Sequence, residues 1–220
     1  AYTSSNDLDI AALYAQTASL LVFSASGYQA LLSTTSGDNN VAIGYRTLFS
    51  NLTGSNNTGV GWGVLFNNTT GIQNTATGYG ALYTNQVGNH NSAFGTESLY
   101  SNTGSENSAF GYRSLFSNTN ASYNTAFGAR ALYTNSLGEK NVAVGWGALY
   151  TNSTGSFNTA TGYAALYSNS TGTDNTAYGY QALYSNSTGD DNSAFGYAAL
   201  NSNTIGSNNT GLGWGALANN

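Results

Sequence analysis

The sequence predicts an all-β protein, a parallel β-solenoid of about 11–12 stacked coils. Three observations carry that expectation. A unit of seventeen residues is written eleven times from Gly37 onward, with almost no sequence between copies. The chain contains no proline, as expected where the N–H of every coil is needed by its neighbour. Asn-Gly, the strongest two-residue hairpin signal, never occurs despite 28 glycines. Seventeen residues cannot hold a helix pair, and a coil of short strands and corners can bury its apolar side chains only by stacking on another coil.

In chain order, residues 1–19 form an N-terminal cap or assembly segment, in which Ala12-Leu13-Tyr14 echoes the repeat. Residues 20–220 form the solenoid, with a degenerate first coil in which Phe23 stands where later copies have Asn, and full copies from Gly37. A clean copy is Gly155–Thr171, GSFNTATGYAALYSNST. With its first glycine as position 0, that glycine and its Ser, Asn or Asp neighbours mark a corner. Positions 3–8 place β-branched or aromatic residues between small ones, which favours a strand. Positions 10–14 read as a second short strand or a helical turn.

Position 3 is asparagine in every full copy: Asn40, Asn57, Asn74, Asn91, Asn107, Asn124, Asn141, Asn158, Asn175, Asn192 and Asn209. Position 14 is asparagine from Asn51 to Asn220. Stacking in register sets like residues ~4.8 Å apart, so identical amides can hydrogen-bond up the stack and satisfy buried polar groups without ions. Position 11 is leucine throughout, as in Leu132, Leu149, Leu166 and Leu183, each worth roughly 1.5–3 kcal/mol if fully buried. Position 7 is glycine throughout, the mark of a tight corner or a close backbone approach. The strict size limit on Asn, Ala and Gly at positions 3, 5 and 7 suits an interior. That choice leaves positions 6 and 8 as an outer aromatic stripe. The opposite phase would bury 4, 6 and 8 instead.

Composition narrows the function. Charged residues are 6% of the chain against a usual ~25%, so solubility comes from Asn, Ser, Thr and backbone. A hydrophobic content of 40%, with 13% aromatics, separates the chain from disordered polar segments. Net charge is −5, and the only cations are Arg46, Arg113, Arg130 and Lys140, which argues against a nucleic-acid partner. There is no cysteine, hence no disulfide framework or thiolate metal site. No apolar run reaches the ~18 residues of a membrane span. The absence of methionine and the start at Ala1 read as a mature chain with its leader removed.

No catalytic constellation is legible, so the chain reads as a non-enzyme without metal or cofactor. His90, the only histidine, lies in a corner without the carboxylate and nucleophile a triad needs. The acids Asp38, Glu106, Glu139, Asp174, Asp190 and Asp191 fall at corners but not in every coil, unlike a repeated calcium site. Glu97 and Arg113 share position 9 in successive coils, so register would pair them. Sequons at Asn152, Asn169 and Asn186 are candidate glycosylation sites. Tyr163, Tyr180, Tyr197, Trp62, Trp146 and Trp214, all at position 8, are candidate interface or glycan-binding residues, because stacked aromatic platforms suit sugars or another protein.

The motif G-x-x-N-T-A-x-G-Y-x-A-L-Y-x-N-S-T resembles Asn/Gly-rich solenoid repeats of bacterial and phage fibre-like surface proteins. Its core, as in Asn141-Val142-Ala143-Val144-Gly145, is more distantly similar to the head repeats of trimeric autotransporter adhesins. The resemblance implies a secreted or cell-surface location and a fibrous or adhesive role. The leading expectation is therefore an extracellular structural fibre subunit. It would assemble with itself, as a head-to-tail polymer or trimer, through its solenoid ends, its aromatic face or both. The last repeat, which leaves an open coil edge in register, motivates the end contact, with residues 8–23 of a neighbour as its cover. The alternatives are an adhesin or glycan-binding fibre module with carbohydrate or a cell surface as partner, and an ice-binding solenoid.

Overall fold

The computed structural model describes residues 23–220. The expected N-terminal cap at 1–19 lies outside the described residues. One sheet of twelve parallel strands runs in strict chain order. β1 (Phe23–Ser26) and β2 (Asn40–Ile43) have four residues each, and every strand from β3 (Thr58–Val60) to β12 (Thr210–Leu212) has three. Each residue pairs with its equivalent in the next coil: Thr159 with Thr176, Ala160 with Ala177, Thr161 with Tyr178.

The strand faces resolve as the size argument favours. Alanine at position 5 is buried from Ala42 to Ala194, and asparagine at position 3 from Asn40 to Asn192, while the residues on either side of the alanine are half-buried or exposed. Where Gly59 replaces that alanine, the space is filled by its neighbours. A Cβ there would meet the Thr47 methyl at 2.6 Å and Val64 at 3.3 Å, so a smaller residue at position 5 is matched by larger ones at position 10.

The second half of the coil is neither the strand nor the helical turn considered for it. It is a chain of turns with left-handed residues at position 9 (Arg46, φ 51°) and position 11 (Leu48, φ 53°), repeated in every described coil. The turns still tie coil to coil. Leu166 N–H donates to the Ala182 carbonyl at 2.9 Å, and Ser168 N–H to the Tyr184 carbonyl at 3.0 Å. A left-handed leucine costs about 1–2 kcal/mol. Its full burial from Leu48 to Leu200 returns about 1.5–3 kcal/mol, so packing outweighs backbone preference. Where stacking stops, so does burial: Leu217, in the last coil, is 49% exposed.

Both asparagine columns converge on the corner glycine. The Gly172 carbonyl accepts from Asn158 Nδ2 at 2.8 Å and from Asn169 Nδ2 at 2.8 Å. Asn158 Oδ1 accepts the backbone N–H of Asn175 at 3.0 Å, and Asn169 Nδ2 also donates to Asn152 Oδ1 at 2.8 Å. These forks satisfy a polar interior without a charge. Among the described residues, Thr34 Oγ1 is the one buried side-chain polar atom without a partner. Thr34 stands at position 14 of the degenerate coil, where later coils have asparagine. The copy at Gly88, one residue short, omits position 16, and its Asn102 still reaches the Gly104 carbonyl at 2.8 Å.

Candidate functional site: two aromatic columns

With Asn, Ala, Gly and Leu filling the interior, the chemistry that varies from coil to coil lies outside. Two aromatic columns run up one side of the coil, at positions 8 and 12. At position 12 nine rings from Phe49 to Tyr184 stack without interruption at 4.8–5.4 Å between centroids and interplanar angles of 3–13°. This column is half-buried. Burial, followed by the neighbouring Tyr83, raises the Tyr100 phenol above its ordinary value; burial, followed by Tyr150, raises that of Tyr167.

The position-8 column is more exposed and comes in two runs. Tyr28, Tyr45, Trp62 and Tyr79 stack at 4.7–5.7 Å. Trp146, Tyr163, Tyr180, Tyr197 and Trp214 stack at 4.8–6.0 Å. Between the runs stand Thr96, Tyr112 and Ala129, and at that level a short third ladder, Phe94–Phe110–Phe127, forms at position 6. The six residues expected to form an interface or glycan site thus lie in one column, but as two separated groups. In both runs the rings stack face to face, so edges and hydroxyls, rather than ring faces, meet the solvent.

Position 9 forms the floor between the columns. A Cβ added to Gly63 would meet the Tyr83 ring at 3.2 Å. Arg46 and Arg113 lay their guanidinium groups there, 5.2 and 5.1 Å from the position-8 ring of their own coil and 5.5 and 5.3 Å from the position-12 ring. Each also reaches back one coil. Arg46 Nε donates to Gln29 Oε1 at 2.8 Å, and Arg113 Nε to Glu97 Oε2 at 2.5 Å. The second contact is the ion pair that the register predicts, and it raises the Arg113 pKa. The floor was not anticipated from the sequence. Its signal was glycine at position 9 in four coils, Gly63, Gly80, Gly147 and Gly215, which marks a left-handed backbone site.

The remaining candidates separate clearly. Asn152, Asn169 and Asn186 are fully buried, with their amide nitrogens donating within the ladder. A glycan on any of them would displace the corner hydrogen bonds, so the folded coil does not present these sequons. His90 lies at an exposed corner with Nε2 2.7 Å from Gln73 Oε1. No group of three or more His, Cys, Asp or Glu is placed to hold a metal ion among the described residues, and no described helix is long and apolar enough to cross a membrane.

No protein-family model matches the chain, and no significant similarity was found to a curated protein or to a solved structure. Fold and columns together define the class. This is a parallel β-solenoid repeat protein with an asparagine-laddered interior and an aromatic exterior.

Proposed function

We propose that the chain is an extracellular structural fibre segment whose aromatic side packs against a second copy of itself. The observation that carries this reading is the unbroken nine-ring column flanked by two exposed Tyr/Trp runs. Together they line one side of the coil axis with aromatic rings in contiguous stacks, unlike the scattered single exposed apolar residues of ordinary monomers. A strip of constant spacing is matched by an identical strip on another copy, ring edge against ring edge. Placement outside the cell rests on the resemblance to surface-fibre repeats.

Adhesin or glycan binding is the second reading and draws on the same rings. It is favoured by the hydroxyl edges of Tyr163, Tyr180 and Tyr197. It is weakened by the stacking, because the ring faces a sugar would need are covered by neighbours. Ice binding has less support still. At position 13, the Thr84, Thr134 and Thr151 hydroxyls donate to carbonyls of the next coil at 2.9–3.0 Å instead of forming a free lattice.

Electron microscopy and sedimentation of the native chain beside a Tyr163→Ser/Tyr180→Ser/Tyr197→Ser variant test the proposal. The expected result is laterally associated rods for the native chain and single rods for the variant. Dispersed single rods for both at high concentration would contradict self-association. A glycan-array signal that the same triple change abolishes would favour the second reading.

A further inference from the structure

The three arginines at position 9 are built on one plan, and one of them is left incomplete. Arg46 and Arg113 each have two supports: an aromatic ring at position 8 of the same coil and a side-chain oxygen at position 9 of the preceding coil. Arg130 has neither. Position 8 of its coil is Ala129, and position 9 of the preceding coil is Arg113, a second cation already paired with Glu97. Among the described residues the Arg130 side chain makes no hydrogen bond, ion pair or ring contact; it acts electrostatically on the phenol of Tyr167, two coils on, which is neutral below its raised pKa and so supplies no anion. Glu97 is taken up by Arg113, so Arg130 has no anion of its own, and a neighbouring carboxylate would supply one.

The missing ring leaves a defined space. Ala129 lies between Tyr112 and Trp146 in the position-8 column. Strand register places those two rings two coils apart, about 9.6 Å at the usual inter-strand spacing. A flat ring inserted midway would stand about 4.8 Å from each; the next rung of the same column, Trp146–Tyr163, has 4.8 Å between centroids. Ala129 is only half-buried, so its own coil does not close the space. Phe127, beside it at position 6, is tilted 32° from Phe110 and is 58% exposed, and among the described residues it makes no ring contact with Tyr112 or Trp146. The rung at Thr96 is a natural control. It is bracketed by Tyr79 and Tyr112 in the same way, but the position-9 pair beside it, Glu97 and Arg113, is neutral overall.

We propose that the rung at Ala129 binds a planar aromatic carboxylate, its ring stacked between Tyr112 and Trp146 and its carboxylate paired with Arg130. The ligand supplies the two supports that Arg46 and Arg113 obtain from the chain itself. Stacking on two preformed faces and a charge-assisted contact to guanidinium select together for flatness and negative charge.

The test is calorimetric titration of the whole chain with 2-naphthoate, with 2-naphthalenemethanol and cyclohexanecarboxylate as controls that lack the charge or the flat ring. The expected result is saturable binding of one 2-naphthoate per chain and at least tenfold weaker binding of both controls. Arg130→Gln should weaken 2-naphthoate at least tenfold. Ala129→Tyr should abolish binding by restoring the ring, with the near-ultraviolet circular dichroism of the stack retained. Thr96→Tyr should leave binding unchanged. Absence of saturable binding, or binding that survives both Ala129→Tyr and Arg130→Gln, would overturn the proposal. Equal affinity for cyclohexanecarboxylate would overturn the stacked geometry.

Discussion

The strand arc of each coil, positions 3–7, and its turn arc, positions 8–14, solve the same stacking problem in opposite ways. The strand arc uses extended backbone and small residues, Asn and Ala, and ends on a positive-φ glycine at position 7, so that adjacent coils come close. The turn arc uses strained backbone and large residues. Its left-handed leucine is buried, its aromatic residue stacks on its equivalent above and below, and its hydrogen bonds still reach the neighbouring coil. Close approach makes the strand arc intolerant of added atoms, whereas the turn arc depends on atoms being present.

The largest effect is therefore expected at the end of the strand arc. Gly162 has φ +135°, and a Cβ there would lie 2.3 Å from the Gly179 carbonyl oxygen. Gly162→Ala combines a forbidden backbone site with a backbone clash. It should cost about 4 kcal/mol or more, in the exceptional class for a single change, as read from urea unfolding followed by circular dichroism. Gly155→Ala at the corner should cost less than half as much. A Cβ there would also lie 2.3 Å from a carbonyl oxygen, that of Gly172, but the backbone is not left-handed and Ala121 already occupies the equivalent position, accepting Asn107 Nδ2 at 2.9 Å and Asn118 Nδ2 at 2.8 Å, so the coils can shift to admit a methyl. Equal losses for the two glycines would break the distinction.

Removing a ladder amide comes next. Asn158→Leu leaves the N–H of Asn175 without its acceptor and takes one of two donors from the Gly172 carbonyl. The orphaned N–H costs about 1–3 kcal/mol, and the misfit of a branched apolar side chain adds about 1–3 kcal/mol more. In the turn arc, Leu166→Ala should cost about 2–5 kcal/mol through the cavity it leaves, without loss of register. Amide exchange should therefore show local loosening after Leu166→Ala but unstacking of adjacent coils after Gly162→Ala.

The smallest effect is in pH. Tyr100 and Tyr167 have phenol pKa values raised above 10.0 by burial, so the folded state holds their protons more tightly than the unfolded chain does. Their contribution is complete below pH 10 and is lost as pH rises through the folded values. Alkaline titration monitored at the phenolate band should show Tyr100 and Tyr167 ionising above the ordinary phenol value of 10.0, with stability declining only in that range.

The strand arc was legible because its constraint acts on size, and size is written directly in Asn40, Ala42 and Gly44 and their equivalents. The direction of the faces followed from size, and the asparagine ladders and the Glu97–Arg113 contact followed from register. The turn arc was not legible because its constraint acts on backbone angle. An invariant leucine carries no sign of positive φ, and Arg46, Glu97 or Ala164 at position 9 conceals what Gly63 and Gly147 reveal. The sequons at Asn152, Asn169 and Asn186 misled for a related reason: a local motif does not record that its asparagine faces inward. The break in the position-8 column at Thr96 and Ala129 was present in the sequence, but it gained meaning only when the rings on either side proved to be stacked.

The central claim is that inward asparagines, forked onto corner carbonyls, hold the coils in register. Hydrogen exchange of the side-chain amides, resolved by nuclear magnetic resonance, tests it most directly. Asn158 and Asn169 should exchange orders of magnitude more slowly than Asn39 and Asn56 at the exposed corners. Exchange of all four at the same fast rate would contradict it.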